Sequence, residues 1–324
     1  MPPLEVIRGR PVQHSLLCGL GQFATLALAT ASAPFGIPKI AFWMYFCAAL
    51  LLIIGLFKIS KELPQEHGLD KVMPFGRLFF AIPMTVFGSE HFTDTADIAR
   101  LVPHWIPWHT FWAYAVGLGF LCAGLSIIVL VEARLAAALV GITMFIFVLV
   151  MDVPGTLRQW HNRFFWILTL RELSFGSGGL AFALSASSNG RLAKPLAGWR
   201  AFPRFVVGIA SVAYGVEHFL HPDHVPGVPL EMITPAWIHG HTFLNYLTGV
   251  ALIVGGACLV ANRKARMAGT ILGLTILLGI LWVYVPIVVV APTSVEALNY
   301  FFDTLLFCGT ILLVAGAMKK EPAA

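Results

Sequence analysis

Apolar residues along this chain gather into ten stretches separated by short polar connections: about 14–33, 40–57, 77–92, 110–131, 134–153, 164–186, 203–220, 242–261, 266–290 and 296–317. A helix that crosses a hydrocarbon layer needs about 20 predominantly apolar residues, and nearly every stretch approaches that length. The shortest, 77–92, would rise only about 24 Å, so its assignment rests on a repeat rather than on its length. The pattern predicts an all-α membrane protein of about ten transmembrane helices.

The repeat is visible in the residues. Arg77 to Phe92 aligns without gaps on Arg204 to Phe219 at an offset of 127, with six identities that include Glu90-His91-Phe92 and Glu217-His218-Phe219. Downstream, Trp105-Ile106 and His109-Thr110-Phe111 match Trp237-Ile238 and His241-Thr242-Phe243. Tyr114/Tyr246, Gly117/Gly249, Arg134/Arg266 and Pro154/Pro286 follow, all at an offset of 132. The change of offset puts five extra residues in one connection of the second copy, and connections are where insertions are tolerated. The expected organisation is two tandem four-helix bundles, 77–186 and 203–317. An N-terminal two-helix hairpin and linker, 1–76, precede them. An even number of helices per copy makes the copies parallel repeats.

Composition narrows the class further. Of the 324 residues 58% are hydrophobic and 11% charged, far from an average soluble domain. The five cysteines are scattered with no Cys-x-x-Cys, so no dithiol relay or thiolate metal knuckle is expected. The net charge of +5 is read as a signal of membrane orientation and not of nucleic acid as a partner. Sixteen of the 21 basic residues fall on one side, made of the termini and the connections 58–77, 132–134, 187–204 and 262–266. By the positive-inside rule that side is cytoplasmic, with the plasma membrane, a bacterial inner membrane, as the expected location. Nine of the eleven histidines map to the other side.

The candidate chemistry lies there. Glu90 is 13 residues beyond Arg77, about 20 Å up a layer about 30 Å thick, and an intramembrane carboxylate is costly unless paired or wet. The expected pairs are Glu90 with His109 and Glu217 with His241, each across two antiparallel helices. Neighbours on a helix point about 100° apart, so Glu90 and His91 face different surroundings, as do Glu217 and His218. Three roles stay open for the pairs. They clasp helices, handle protons or a quinone, or, in the second copy with Glu217, His218, His239 and His241, hold a transition metal. Arg171 and Asp303, aligned at offset 132 in the fourth helices, are further candidates to reach the same level. Pro154 and Pro286 are expected to end or kink the third helices, and the many glycines in 117–142 and 249–273 to mark close helix packing.

These motifs resemble the DoxX-like family of four-helix membrane proteins. The resemblance is carried by Glu90-His91-Phe92 with Trp105-Ile106-Pro107-Trp108-His109, and by Glu217-His218-Phe219 with Trp237-Ile238-His239-Gly240-His241, where His239 replaces the usual proline. It implies a four-helix bundle per copy and, through relatives of a thiosulfate:quinone oxidoreductase subunit, an accessory or catalytic role in quinone-linked redox beside a membrane redox partner. The bundle is also similar to that of vitamin K epoxide reductases, whose Cys-x-x-Cys this chain lacks. Whether the chain is an enzyme stays open. A proton-coupled small-solute transporter and a scaffold held by Glu-His clasps are the rival readings.

Overall fold

The structure is a computed structural model and describes residues 36–185 and 197–318. The expected span 14–33 lies outside them. The described chain forms α1 (Lys39–Glu62), α2 (Met73–Thr93), the short α3 (Thr95–Leu101), α4 (His109–Val129), α5 (Ala133–Arg158), α6 (Arg163–Ser185), α7 (Ala201–Leu220), α8 (His241–Ala261), α9 (Ala265–Val290) and α10 (Val295–Ala317). All but α3 coincide with the expected stretches, and no strand occurs among the described residues. Seven helices, α1, α2, α4, α5, α8, α9 and α10, are long and apolar enough to cross a membrane. Outside that set, α6 carries Arg171, Glu172 and a run of Ser and Gly, and α7 carries Arg204, Glu217 and His218. The outward faces leave Ile53, Phe57, Leu149, Leu278 and Val289 uncovered. Apolar surface of that extent is expelled from water, so hydrocarbon is the solvent for these faces, and the protein is an all-α, multi-pass membrane protein.

α2 and α10 are the most enclosed of the seven spans. α10 packs on α2, α6 and α9, and α2 packs on α1 and α4. Phe80, Met84, Phe175, Phe307, Ile311 and Leu312 fill the space between them. Small residues let the backbones approach: a Cβ on Gly88 would lie 2.9 Å from the Gly117 carbonyl oxygen, and one on Gly215 would lie 2.7 Å from that of Gly249. The two crossings, α2 on α4 and α7 on α8, involve aligned residues.

Of the two outcomes expected at the prolines, the helix end does not occur. A proline offers no N–H and its ring crowds the carbonyl four residues back. α5 and α9 absorb this by widening into π turns at Val148–Asp152 and Ile280–Tyr284, then run on to Arg158 and Val290. Neither helix ends at its proline. Left-handed backbone recurs at Trp108 and Gly240, at Leu130 and Asn262, and at Glu132 and Lys264, again at aligned positions. At the end of the bundle rich in lysine and arginine, here the basic end, Arg77 pairs with Glu62 at 2.6 Å and Arg266 with Asp70 at 2.8 Å.

Candidate functional site

At the histidine-rich end the first connection, 94–108, holds α3 and has no buried residue. Trp105 and Trp108 are 73% and 75% exposed. Partial burial and the neighbouring Asp97 carboxylate push the half-buried Asp94 carboxyl in this connection up to about 6. The aligned connection, 221–240, behaves otherwise. Backbone bonds from Val225 N–H to the Met232 oxygen (3.0 Å) and from Thr234 N–H to the Asp223 oxygen (2.7 Å) close it into a loop, whose tip, 225–230, is wholly buried in the second half.

Three side chains hold that tip. Gly227 N–H donates to His218 Nε2 at 2.9 Å, which leaves the His218 proton on Nδ1, directed back along its own helix. Tyr284, at the end of the α9 π turn, donates its hydroxyl to the Pro226 oxygen at 2.8 Å. Arg163, the first residue of α6, donates to the oxygens of Pro229 (2.9 Å) and Leu230 (2.6 Å), to His224 Nε2 (2.6 Å) and to Glu217 Oε2 (3.4 Å). Glu231 lies 3.6 Å from the same guanidinium. Burial, then the adjacent Arg163 charge, holds the His224 imidazole below its ordinary value. Asn245 donates to the oxygens of Pro222 (2.5 Å) and His224.

A second polar group lies between the halves. Arg171 of α6 donates Nη1 to Asp303 of α10 at 2.5 Å and Nη2 to Glu172 at 2.9 Å, while its Nε has no partner among the described residues. Asp152, the last residue of the α5 π turn, faces Glu172 and Arg171. It is 7% exposed, and its Oδ2 has no hydrogen-bond partner among the described residues. Glu90 of α2 is hydrogen-bonded by Asn299 of α10 and lies within electrostatic reach of Asp303. Asn299 Oδ1 stays unpartnered, so its amide nitrogen is the donor. One guanidinium thus faces three carboxyl groups, Asp303, Glu172 and Asp152, drawn from three helices, and Glu90 adjoins the group through Asp303.

This arrangement corrects the expected pairs. Glu90 meets Asn299 and not His109, whose ring lies 6.4 Å from that of His104. Glu217 meets Arg163 and, at 3.6 Å, His221; His241 turns to the Thr242 hydroxyl at 3.4 Å. The cause is helix geometry. His91 and His218 take the side facing α4 and α8, where a Cβ on Gly117 or Gly249 would lie 2.5 or 3.1 Å from their Cβ atoms. The glutamates, about 100° around the helix, are turned away from those neighbours. His91 donates Nδ1–H to the Phe87 oxygen at 2.7 Å, which closes its polar requirement locally.

The metal candidates do not converge either. His239 is exposed, His218 is committed to Gly227, and among the described residues no group of three or more His, Cys, Asp or Glu is placed to hold a metal ion. Arg171 and Asp303, expected to approach the Glu-His level, pair with each other as a direct ion pair. The reading of the sequence missed the roles of Arg163, Asn299 and Tyr284. A signal existed for Arg163, one of only four basic residues in the histidine-rich connections. None existed for Asn299, which has no polar counterpart at the aligned Ile167.

Residues 72–152 match the model of the DoxX family. No curated protein and no solved structure matches the chain. The matched stretch runs from the start of α2 to the end of the α5 π turn and holds Glu90, His91, His109 and Asp152. This is an all-helical, multi-pass membrane protein whose match to the DoxX model over 72–152 is consistent with a DoxX-like family.

Proposed function

We propose that the chain is a tandem duplication of a DoxX-like four-helix unit, over 77–186 and 203–317, set in a bacterial inner membrane with its basic end in the cytoplasm. The cluster between the halves binds protons and the head group of a quinone, and the protein serves quinone-linked redox as an accessory or catalytic subunit beside a membrane redox partner. The duplication is supported by the recurrence of π turns, left-handed positions and glycine crossings at aligned residues. It is also supported by the pairing of Arg171 with Asp303. These two occupy equivalent sequence positions, so a parallel repeat would bring them together near its axis.

One observation carries the chemistry: the buried, unpartnered Asp152 Oδ2 beside an Arg171 whose Nε is also free of a partner among the described residues. Buried polar atoms are rarely left unmatched without a reason, and three carboxyl groups around one guanidinium, with Glu90 in reach of Asp303, are short of positive charge. Protons supply that charge. A quinone, when bound, supplies two-electron, two-proton chemistry. Arg171 Nε–H would donate to its carbonyl oxygen, and Asp152 would hold or release a proton at Oδ2. Toward the basic end the interior is filled by Phe80, Met84, Phe175, Phe307 and Ile311, and among the described residues the next buried charge is Arg77. That favours a site reached from one side over a proton-coupled solute path.

The test is Asp152→Asn, which keeps the shape and removes the exchangeable proton. Lipid extracts of the purified full chain should contain bound quinone by mass spectrometry. The variant should fold normally and lose about tenfold or more in quinone retention, the scale of one hydrogen bond to a charged group. No quinone in either protein, or equal retention by both, would sink the redox reading. Solute-driven proton uptake by proteoliposomes would replace it with transport.

A further inference from the structure

The wall of the bundle that faces lipid carries two grooves at aligned places, one in each half. Between α8 and α9 lies a groove of about 580 Å³ whose walls include Ala251, Val254, Met267 and Ile271, and whose end is formed by Arg263 and Lys264. Between α4 and α5 lies its counterpart, about 410 Å³, with Gly119, Leu135 and Leu139 on its walls and Glu132 at its end. The backbones at the two ends are alike: Glu132 and Lys264, at offset 132, both take left-handed φ of 48° and 46°. The charges are opposite.

Apolar walls alone select no occupant in a bilayer, because lipid tails are as apolar as leucine and no hydrophobic drive remains. Discrimination has to come from the end of the groove, and that is where the halves differ. Arg263 and Lys264 are exposed and have no ion-pair partner among the described residues. The nearby Arg266 is committed to Asp70 and to the Gly316 and Met318 oxygens at the end of α10. Arg263 is held in the tight turn after α8 by its N–H on the Cys258 oxygen at 3.0 Å. Two unspent cations therefore sit at the mouth of an apolar groove, at the level where a spanning helix ends and head groups begin.

We infer that the α8–α9 groove is a seat for one anionic phospholipid, its acyl chain along the groove and its phosphate between Arg263 and Lys264, and that Glu132 bars such a lipid from the α4–α5 groove. Basic pockets between spanning helices bind anionic head groups in this way, each basic residue contributing about 1 kcal/mol near the surface, a factor of about five.

The test uses the full chain in detergent, titrated with phosphatidylglycerol or with phosphatidylcholine of the same chains, with bound lipid counted by native mass spectrometry. One phosphatidylglycerol should be retained in preference to phosphatidylcholine. Lys264→Glu, which installs the residue that the first half carries at the same backbone position, should weaken retention about 25-fold, with an unchanged melting temperature. Glu132→Lys should add a second retained phosphatidylglycerol, a gain that no loss of folding can imitate. Equal retention of the two lipids by the natural chain, or an unchanged count in both variants, would overturn the proposal. Binding of free glycerol phosphate as tight as that of the lipid would overturn the acyl-chain part and mark a plain anion site.

Discussion

The two halves use the same helices to opposite ends at their histidine-rich mouths. In the first half the connection between α2 and α4 lies on the surface with no buried residue, while in the second the aligned connection sends 225–230 into the bundle. The insertion of five residues supplies the length to reach inward. The contacts that hold the tip come from elsewhere: Arg163 from the last helix of the first half, Tyr284 from the α9 π turn, His218 from the second glutamate-histidine motif. The π turns show the same divergence. Asp152 ends the first as an unpartnered carboxyl, while the aligned Tyr284 ends the second as a donor to the inserted loop. One backbone device thus ends in a buried acid in one half and an anchor in the other. On the proposed duplication, aligned positions keep their backbone geometry and divide their roles by a change of one residue at each.

The largest effect on this contrast should come from Arg163→Ala. It strands the Glu217 carboxylate and the Pro229 and Leu230 oxygens, each a partner of the guanidinium. The cost should be about 2–3 kcal/mol, as for hydrogen bonds to a charged group left half-made in a mostly buried setting. Hydrogen exchange should rise across 221–240 and stay unchanged across 94–108. A uniform rise in both would mean that the loop is not a separate element.

A smaller effect should follow Gly227→Ala. Gly227 has φ of +104°, and an added Cβ would lie 2.8 Å from Thr304 Cγ2, so both strain and contact act against the methyl group. A loss of about 1–2 kcal/mol in chemical denaturation is expected. Gly240→Ala is the comparison: φ is +74° but nothing lies within 4 Å of the new Cβ, so only the left-handed backbone acts and the cost should be about 1 kcal/mol. Equal losses at the two sites would show that the contact with Thr304 contributes nothing.

The smallest effect is on pH, and it should have opposite signs in the two connections. Asp94 titrates near 6 in the folded chain against an ordinary 3.8, so its charged form is disfavoured on folding. That penalty is full above about 6 and is relieved as pH falls toward 3.8. His224 is held below the ordinary 6.5, so the unfolded chain takes up the proton first. Its contribution is present above 6.5 and lost as pH falls below it. Acidification from neutral pH should therefore loosen 221–240 while tightening 94–108, measured by hydrogen exchange corrected for the intrinsic rate. His224→Gln should remove the first response and Asp94→Asn the second. A common sign in both connections would show that neither group governs its loop.

The sequence by itself determined the helices, because the need to satisfy every backbone polar group in hydrocarbon leaves few alternatives to a helix for a long apolar run. Thus α1 and α4 to α10 were legible from composition and length, and α2 through the alignment of its Glu-His-Phe motif with that of α7. Arg171 and Asp303 also stood out as charges in apolar helices, and their pairing with each other came from the fold. What only the tertiary structure decided was direction. The sequence placed Glu90 and His109 at one level, but the turn of about 100° between neighbouring residues, together with close glycine contacts on the α4 side, sends His91 to α4 while Glu90 meets Asn299 of α10. It also joined Arg163 to a loop more than 60 residues away. A periodic pattern shows which residues lie on a helix and at what depth, whereas the neighbour that each one faces follows from how the helices rotate and pack, and that depends on contacts far apart in the chain.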